Sequence, residues 1–183
     1  CGGWVRGAGG AGLKCEFACD RDRASWAHCK GKVGRPFRRG GVRGLERVPK
    51  VGFIGGGRPV QGFSPLGKMS PSDERKNDQA NRNTLWKEYL RLVDEANPIG
   101  FVIENVPELL VSVEFKALES HMKRRGYNYV YGVLNAHDYG VPQRRRRAVI
   151  IALQAYQPQP PQPLAQNKRR NVRDASPPPP PPT

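Results

Sequence analysis

Cysteine is scarce in this chain and confined to one end: Cys1, Cys15, Cys19 and Cys29 are the whole complement in 183 residues. Cys15 and Cys19 stand close together, but no second pair and no histidine cluster follows to complete a zinc site. No metal is therefore expected, and no disulfide framework either. Acidic residues are also few, 16 against 31 Lys and Arg, which leaves a net charge of +15 and a pI near 10.2. Such an imbalance calls for an anionic partner, nucleic acid first, with a merely soluble basic surface or a GC-rich coding sequence as the bland alternatives. No apolar run is long enough to span a bilayer and no signal peptide is visible. A soluble intracellular protein without a membrane partner is the expectation: cytoplasmic or nucleoid-associated in a bacterium, nuclear in a eukaryote. The first residue is not Met, and motif-like residues begin at once, which reads as a fragment.

What the chain has in quantity is Gly (21) and Pro (18), against 37% hydrophobic residues. Much of both lies near the ends, so the packed part is expected in the middle. Residues 1–14 are Gly-rich, and Glu16-Phe17-Ala18-Cys19-Asp20 reads as a short strand ending in an acid. Residues 30–50 are basic and Gly-rich with no periodicity, so they are read as irregular, even as a damaged or frameshifted stretch. From Val51 the signal improves. Val51-Gly52-Phe53-Ile54 is an apolar run feeding the loop Gly55 to Pro65, where glycines admit a ligand and Pro59 stiffens a turn. Met69 to Arg82 is a polar, mobile-looking stretch. Asn83 to Ala96 carries Leu85, Tyr89, Leu92, Val93 and Ala96 at helical spacing, and Asn97-Pro98 ends it. Ile99 to Ile103 is a buried strand, Pro107 to Leu110 and Val113 to Arg125 are helical with Gly126 as the stop, and Tyr127 to Leu134 and Ala148 to Leu153 are strands. Alternating strands and helices give an α/β sheet. After Leu153 the composition falls into Pro, Gln and basic residues, expected to be disordered or extended polyproline with no core to bury.

In this order, three stretches resemble the DNA (cytosine-5) methyltransferase family. Gly57-Arg58-Pro59-Val60-Gln61-Gly62-Phe63-Ser64 stands where the family reads Gly-Pro-Pro-Cys-Gln-Gly-Phe-Ser. Glu104-Asn105-Val106 matches its Glu-Asn-Val, and Gln143-Arg144-Arg145-Arg146-Arg147 matches its Gln-x-Arg-x-Arg. The resemblance is strong over 51–153 and weak over 1–29. It implies a doubly wound, mostly parallel, Rossmann-like methyltransferase sheet, incomplete in its N-terminal half because the strand before Cys1 is missing. The implied organisation is a partial catalytic domain over 1–153 and a tail over 154–183, with no target-recognition domain.

The resemblance also implies S-adenosylmethionine as cofactor and double-stranded DNA with a flipped cytosine as partner, RNA remaining open as the alternative. Its catalytic positions fall on Val60, where the nucleophilic cysteine would be, on Glu104 against the base N3, and on Arg145 and Arg147 against base oxygen and phosphate. Cofactor contacts fall on Gly2, Gly3, Asp20 (Asp22 as fallback), Pro59 and Leu85, and substrate contacts on Gln61, Ser64, Asn105 and Gln143. Each has a plainer reading. Asp20 is a solvated acid, Leu85 a core residue, Glu104 a helix-capping acid and the arginine run a solvated basic face.

Overall fold

The computed structural model describes residues 2–33, 37–45, 47–57, 85–171 and 174. The chain divides between Val102 and Ile103 into two units.

In the first unit the Gly-rich start forms a helix, α1 (Gly3–Gly10). Glycine costs roughly 1 kcal/mol per position in a helix, so this one needs tertiary support, and Trp4 supplies it. The indole lies on Gly55 of strand β3 (Phe53–Gly57), where an added Cβ would sit 2.9 Å from the ring. At Gly56 an added Cβ would sit 2.7 Å from the ring of Tyr89, on helix α3 (Leu85–Ala96). Successive strand residues point to opposite faces, so the two glycines let α1 and α3 approach β3 from opposite sides. That is the packing of a doubly wound sheet. The Tyr89 hydroxyl, 3.3 Å from the Ile54 carbonyl oxygen and 3.2 Å from that of Val102, donates to either and links β3 to β4 (Gly100–Asn105).

Residues 23–33 and 37–39 correct the expectation of irregular structure over 30–50. Helix α2 (Arg23–Val33) runs into it and strand β2 (Phe37–Arg39) lies within it, and β2 pairs in parallel with β1 (Ala18–Asp20), Asp20 opposite Arg39. The helix has no apolar stripe to betray it. Its start is fixed instead by Asp22, whose Oδ2 accepts the Ser25 N–H at 2.6 Å, a contact that holds this carboxyl below its ordinary pKa. Buried Cys29 anchors its middle.

Val42, Leu45, Val48 and Lys50 are held by α3. Arg91 spreads its guanidinium over Glu88 (3.0 Å), Glu95 (3.1 Å) and the carbonyls of Val42 (3.2 Å) and Leu45 (3.1 Å), while Glu95 also accepts the Val48 N–H. Arg91→Ala is expected to lower stability by about 1–2 kcal/mol, discounted for partial exposure. Arg91→Lys should recover less than half, because one ammonium cannot reproduce the fork. Denaturant midpoints decide it; an unchanged midpoint in Arg91→Ala sinks the anchoring role.

In the second unit, 3-10 turns over Pro107–Val111 lead to helix α4 (Val113–Arg124), capped by Ser112, whose Oγ accepts the Phe115 N–H at 3.2 Å. Phe115, Leu118 and Met122 form its buried stripe. The helix stops at Gly126, with φ 72. Strands β5 (Asn128–Asn135) and β6 (Arg146–Leu153) then pair antiparallel, Asn128 opposite Leu153 and Asn135 opposite Arg146. Ala148, Ile150 and Ala152 are wholly buried, alternating with half-buried Val149 and Ile151.

The strand order is β3-β4-β6-β5, with β1-β2 as a separate sheet. The fold is α/β, a partial Rossmann-like sheet. It is mixed: the β5–β6 pair runs antiparallel.

The described residues after Leu153 have a surface to lie on. Gln157 Nε2 donates to the Tyr129 carbonyl (3.2 Å), Pro158 is buried, and the Tyr139 hydroxyl donates to the Pro161 carbonyl (3.2 Å). Leu164 N–H then donates to the Asp138 carbonyl (2.8 Å), and Arg169 pairs with the Asp138 carboxylate at 2.7 Å. Prolines give this stretch no N–H to extend the ladder, so it is tied on by side chains and carbonyls.

Candidate active site

The candidate site in the second unit starts from the alternation along β4. Ile103 and Asn105 are buried on one face, which puts Glu104 on the other, half-buried. On β6 the same alternation sets Arg147 on the face away from buried Ala148 and Ile150, opposite Leu134 of β5. The two side chains meet. Arg147 Nε lies 2.8 Å from Glu104 Oε1, and Arg145 Nη2 lies 4.0 Å from the same oxygen. The Arg147 guanidinium also donates from Nη1 to the Arg146 carbonyl at 2.8 Å. Side-chain exposure is 24% for Arg147, 31% for Glu104 and 49% for Arg145, so the inner pair is sheltered while Arg145 reaches into solvent.

A carboxyl beside a fixed guanidinium offers one oxygen able to exchange a proton and several N–H donors in a plane. That combination suits a flat heterocycle with a ring nitrogen next to a carbonyl. The second arginine, more exposed, is placed for an anionic group.

Sequence reasoning brought Glu104, Arg145 and Arg147 to one site, and the structure brings them together. Asn105 differs. It is only 1% exposed and lies on the face opposite Glu104, where its Oδ1 accepts the Val106 N–H at 2.8 Å and turns the chain into Pro107. Its buried Nδ2 has no hydrogen-bond partner among the described residues. Gln143 is exposed and its N–H closes a tight turn onto the Val141 carbonyl at 2.7 Å. Pro59, Val60, Gln61 and Ser64 lie outside the described residues.

In the first unit Gly2, which has no side chain to cap with, is the N-cap of α1 with φ 72, and Gly3 begins the helix. Asp20 ends β1 with Oδ1 accepting the Asp22 N–H at 2.9 Å. Because Asp22 caps α2, Asp20 is the better candidate of the two for a ligand. Leu85 is the first residue of α3. Among the described residues no group of three or more His, Cys, Asp or Glu could hold a metal ion.

One residue that sequence reasoning passed over belongs here. Asn135, the last residue of β5, accepts the Arg145 N–H on Oδ1 at 3.2 Å. Its only sequence signal is its place at the strand end before the Asp138-Tyr139-Gly140 turn.

Residues 1–177 match the family model described as C-5 cytosine-specific DNA methylase. Type II methyltransferase M.MthTI of Methanothermobacter thermautotrophicus is 35% identical over 185 aligned residues, covering 92% of this chain and 53% of that protein. DNA (cytosine-5)-methyltransferase PliMCI of Paracentrotus lividus is 34% identical over 113 residues, 58% of this chain and 7% of that protein. The chain thus spans about half the length of the archaeal relative. The crystal structure of S. pombe Dnmt2 methyltransferase superposes with a TM-score of 0.66 at 16% identity, over 86% of this chain and 48% of that one, a likeness of fold. By the reach of the family match and the agreement of fold, this chain belongs to the C-5 cytosine-specific DNA methylase family.

Proposed function

We propose that this chain carries the base-binding half of a machinery for methyl transfer from S-adenosylmethionine to C5 of a flipped cytosine in DNA, and that as it stands it is inactive. The observation that supports the reading is the Glu104–Arg147 pair at 2.8 Å with Arg145 beside it. In this reading Glu104 holds or exchanges a proton at the base N3, Arg147 orients Glu104 and donates to the base oxygen, and Arg145 meets the phosphate. Asn105 sets the turn behind Glu104, and Gln143, Gln61 and Ser64 are the further substrate contacts that the family resemblance implies.

The residues present fit the cofactor at its two ends. The α1 N-terminus is led by Gly2 and Gly3, and a carboxylate, Asp20, stands at the end of β1. Glycines that admit a ligand and a strand-end acid that takes ribose hydroxyls are the logic of nucleotide sites. Pro59 and Leu85 would add apolar contact. When bound, the cofactor supplies an electrophilic methyl group. The chain itself must make C5 nucleophilic, and an isopropyl group at position 60 cannot add to C6 as a thiolate does.

A second reading keeps the site and drops the reaction: a catalytically dead relative that binds DNA or regulates, favoured by Val60 together with the charge of +15. It predicts salt-sensitive duplex binding without cofactor. A gene remnant, the third reading, would show no cooperative unfolding.

The test of the base site is affinity for a duplex with an unpaired cytosine against the same duplex with an abasic position. The chain should prefer the cytosine duplex, and Arg147→Ala should cut that preference about tenfold, the range of one good base contact. Equal binding of both duplexes by the unmodified chain overturns the reading.

A further inference from the structure

We propose that Asn135 is the positioning residue that aims Arg145 at the Glu104 site, a role resting on the base-site reading above. Arg145 precedes β6 and so lies just outside the regular ladder, whose last paired residues are Asn135 and Arg146. A residue in that position has a free backbone and a long exposed side chain, with nothing in the ladder to fix its direction. The structure fixes it from one place. Asn135 Oδ1 accepts the Arg145 N–H at 3.2 Å, and the next residue, Ala136, donates its N–H to the Arg145 carbonyl at 2.9 Å. Both backbone groups of Arg145 are thereby held by consecutive residues of the opposite strand end, and the ladder gains one more rung made partly by a side chain.

The consequence is one of phase. In extended chain the residues at i and i+2 share a face, so holding Arg145 extended keeps it on the face of Arg147. The carboxylate of Glu104, 2.8 Å from Arg147 Nε and 4.0 Å from Arg145 Nη2, lies on that face. Without the Asn135 acceptor, the Gln143 turn, closed onto Val141 at 2.7 Å, would run into an Arg145 held at its carbonyl alone. An apolar residue at 135 would leave the backbone ladder and the Ala136 bond intact and free only the Arg145 N–H.

Asn135→Ala and Asn135→Asp, the second keeping an acceptor oxygen, separate positioning from stability. Amide hydrogen exchange is read at Arg145 and across β5 and β6, beside the cytosine-over-abasic preference. Asn135→Ala should speed exchange at Arg145 roughly five- to tenfold, the worth of one hydrogen bond, with Val149 and Ile151 unchanged. It should lower the cytosine preference as far as Arg145→Ala does, and Asn135→Asp should restore slow exchange and much of the preference. Unaltered Arg145 exchange in Asn135→Ala overturns the proposal, as does loss of protection across all of β6. If the unmodified chain shows no cytosine preference, the base-site reading has failed, and the exchange result still decides whether Asn135 holds Arg145.

Discussion

Incubated with tritiated S-adenosylmethionine and unmethylated duplex DNA, this chain is expected to leave the DNA unlabelled. The reasoning is chemical. C5 of cytosine is a weak nucleophile, and it becomes a strong one only when a thiolate adds at C6. The family loop places that thiol where Val60 stands. In the proposed alignment Val60 takes that place, and an isopropyl group offers no electron pair. In the proposed mechanism, acid catalysis by Glu104 and orientation by Arg145 and Arg147 would have nothing to act on without the adduct. Losing a nucleophile from a site that works as a unit costs on the order of a millionfold. The informative partner is Val60→Cys, which should raise transfer above the background of the parent chain. Robust labelling by the unmodified chain would show that the reaction has another nucleophile, and would end the inactivity claim. Cys19 and Cys29 are poor candidates for that role: burial pushes the Cys19 thiol up in pKa, and Cys29 is only 1% exposed.

Phe101→Ala is expected to remove about 3–5 kcal/mol of stability, the usual cost of emptying a buried aromatic site. Since a domain's whole stability is roughly 5–15 kcal/mol, this single change brings the first unit near to unfolding. Phe101 is 0% exposed near the start of β4 and meets the Tyr89 ring edge to face, centroids 6.1 Å apart at 68°. Tyr89 cannot swing into the vacated space, because Gly56 lies against its ring and its hydroxyl is held by the Ile54 and Val102 carbonyls. The cavity therefore stays open. Tyr89→Phe, which keeps the ring and loses the hydroxyl, should cost only about 1 kcal/mol. Denaturant unfolding of both variants is the measurement, and a Phe101→Ala cost below that of Tyr89→Phe would contradict this packing.

The legible parts of the fold share one property, a periodic apolar pattern or a backbone stop. Leu92, Val93 and Ala96 gave α3 by spacing, and all three are buried. Ile99 to Ile103 gave β4, and Gly126 gave the end of α4 at φ 72. Helix α2 was illegible because its support is an acid cap and a buried cysteine rather than a stripe. The packing after Leu153 was illegible for a related reason. Its partners, Tyr129, Asp138 and Tyr139, belong to another segment, and a proline-rich stretch shows no pattern that names them.

The candidate site divides along the same line. Residue identity alone determined the chemistry on offer: a carboxylate after a buried strand, guanidiniums before another, an aliphatic side chain in place of a thiol. Side-chain type is written in the sequence and needs no fold to be read. Convergence was decided by tertiary structure alone, because only the pleat of β4 and β6 puts Glu104 and Arg147 on one face. The Asn135 contact to Arg145 was decided there too, since a hydrogen bond between a strand end and a backbone ten positions on depends on how the hairpin closes.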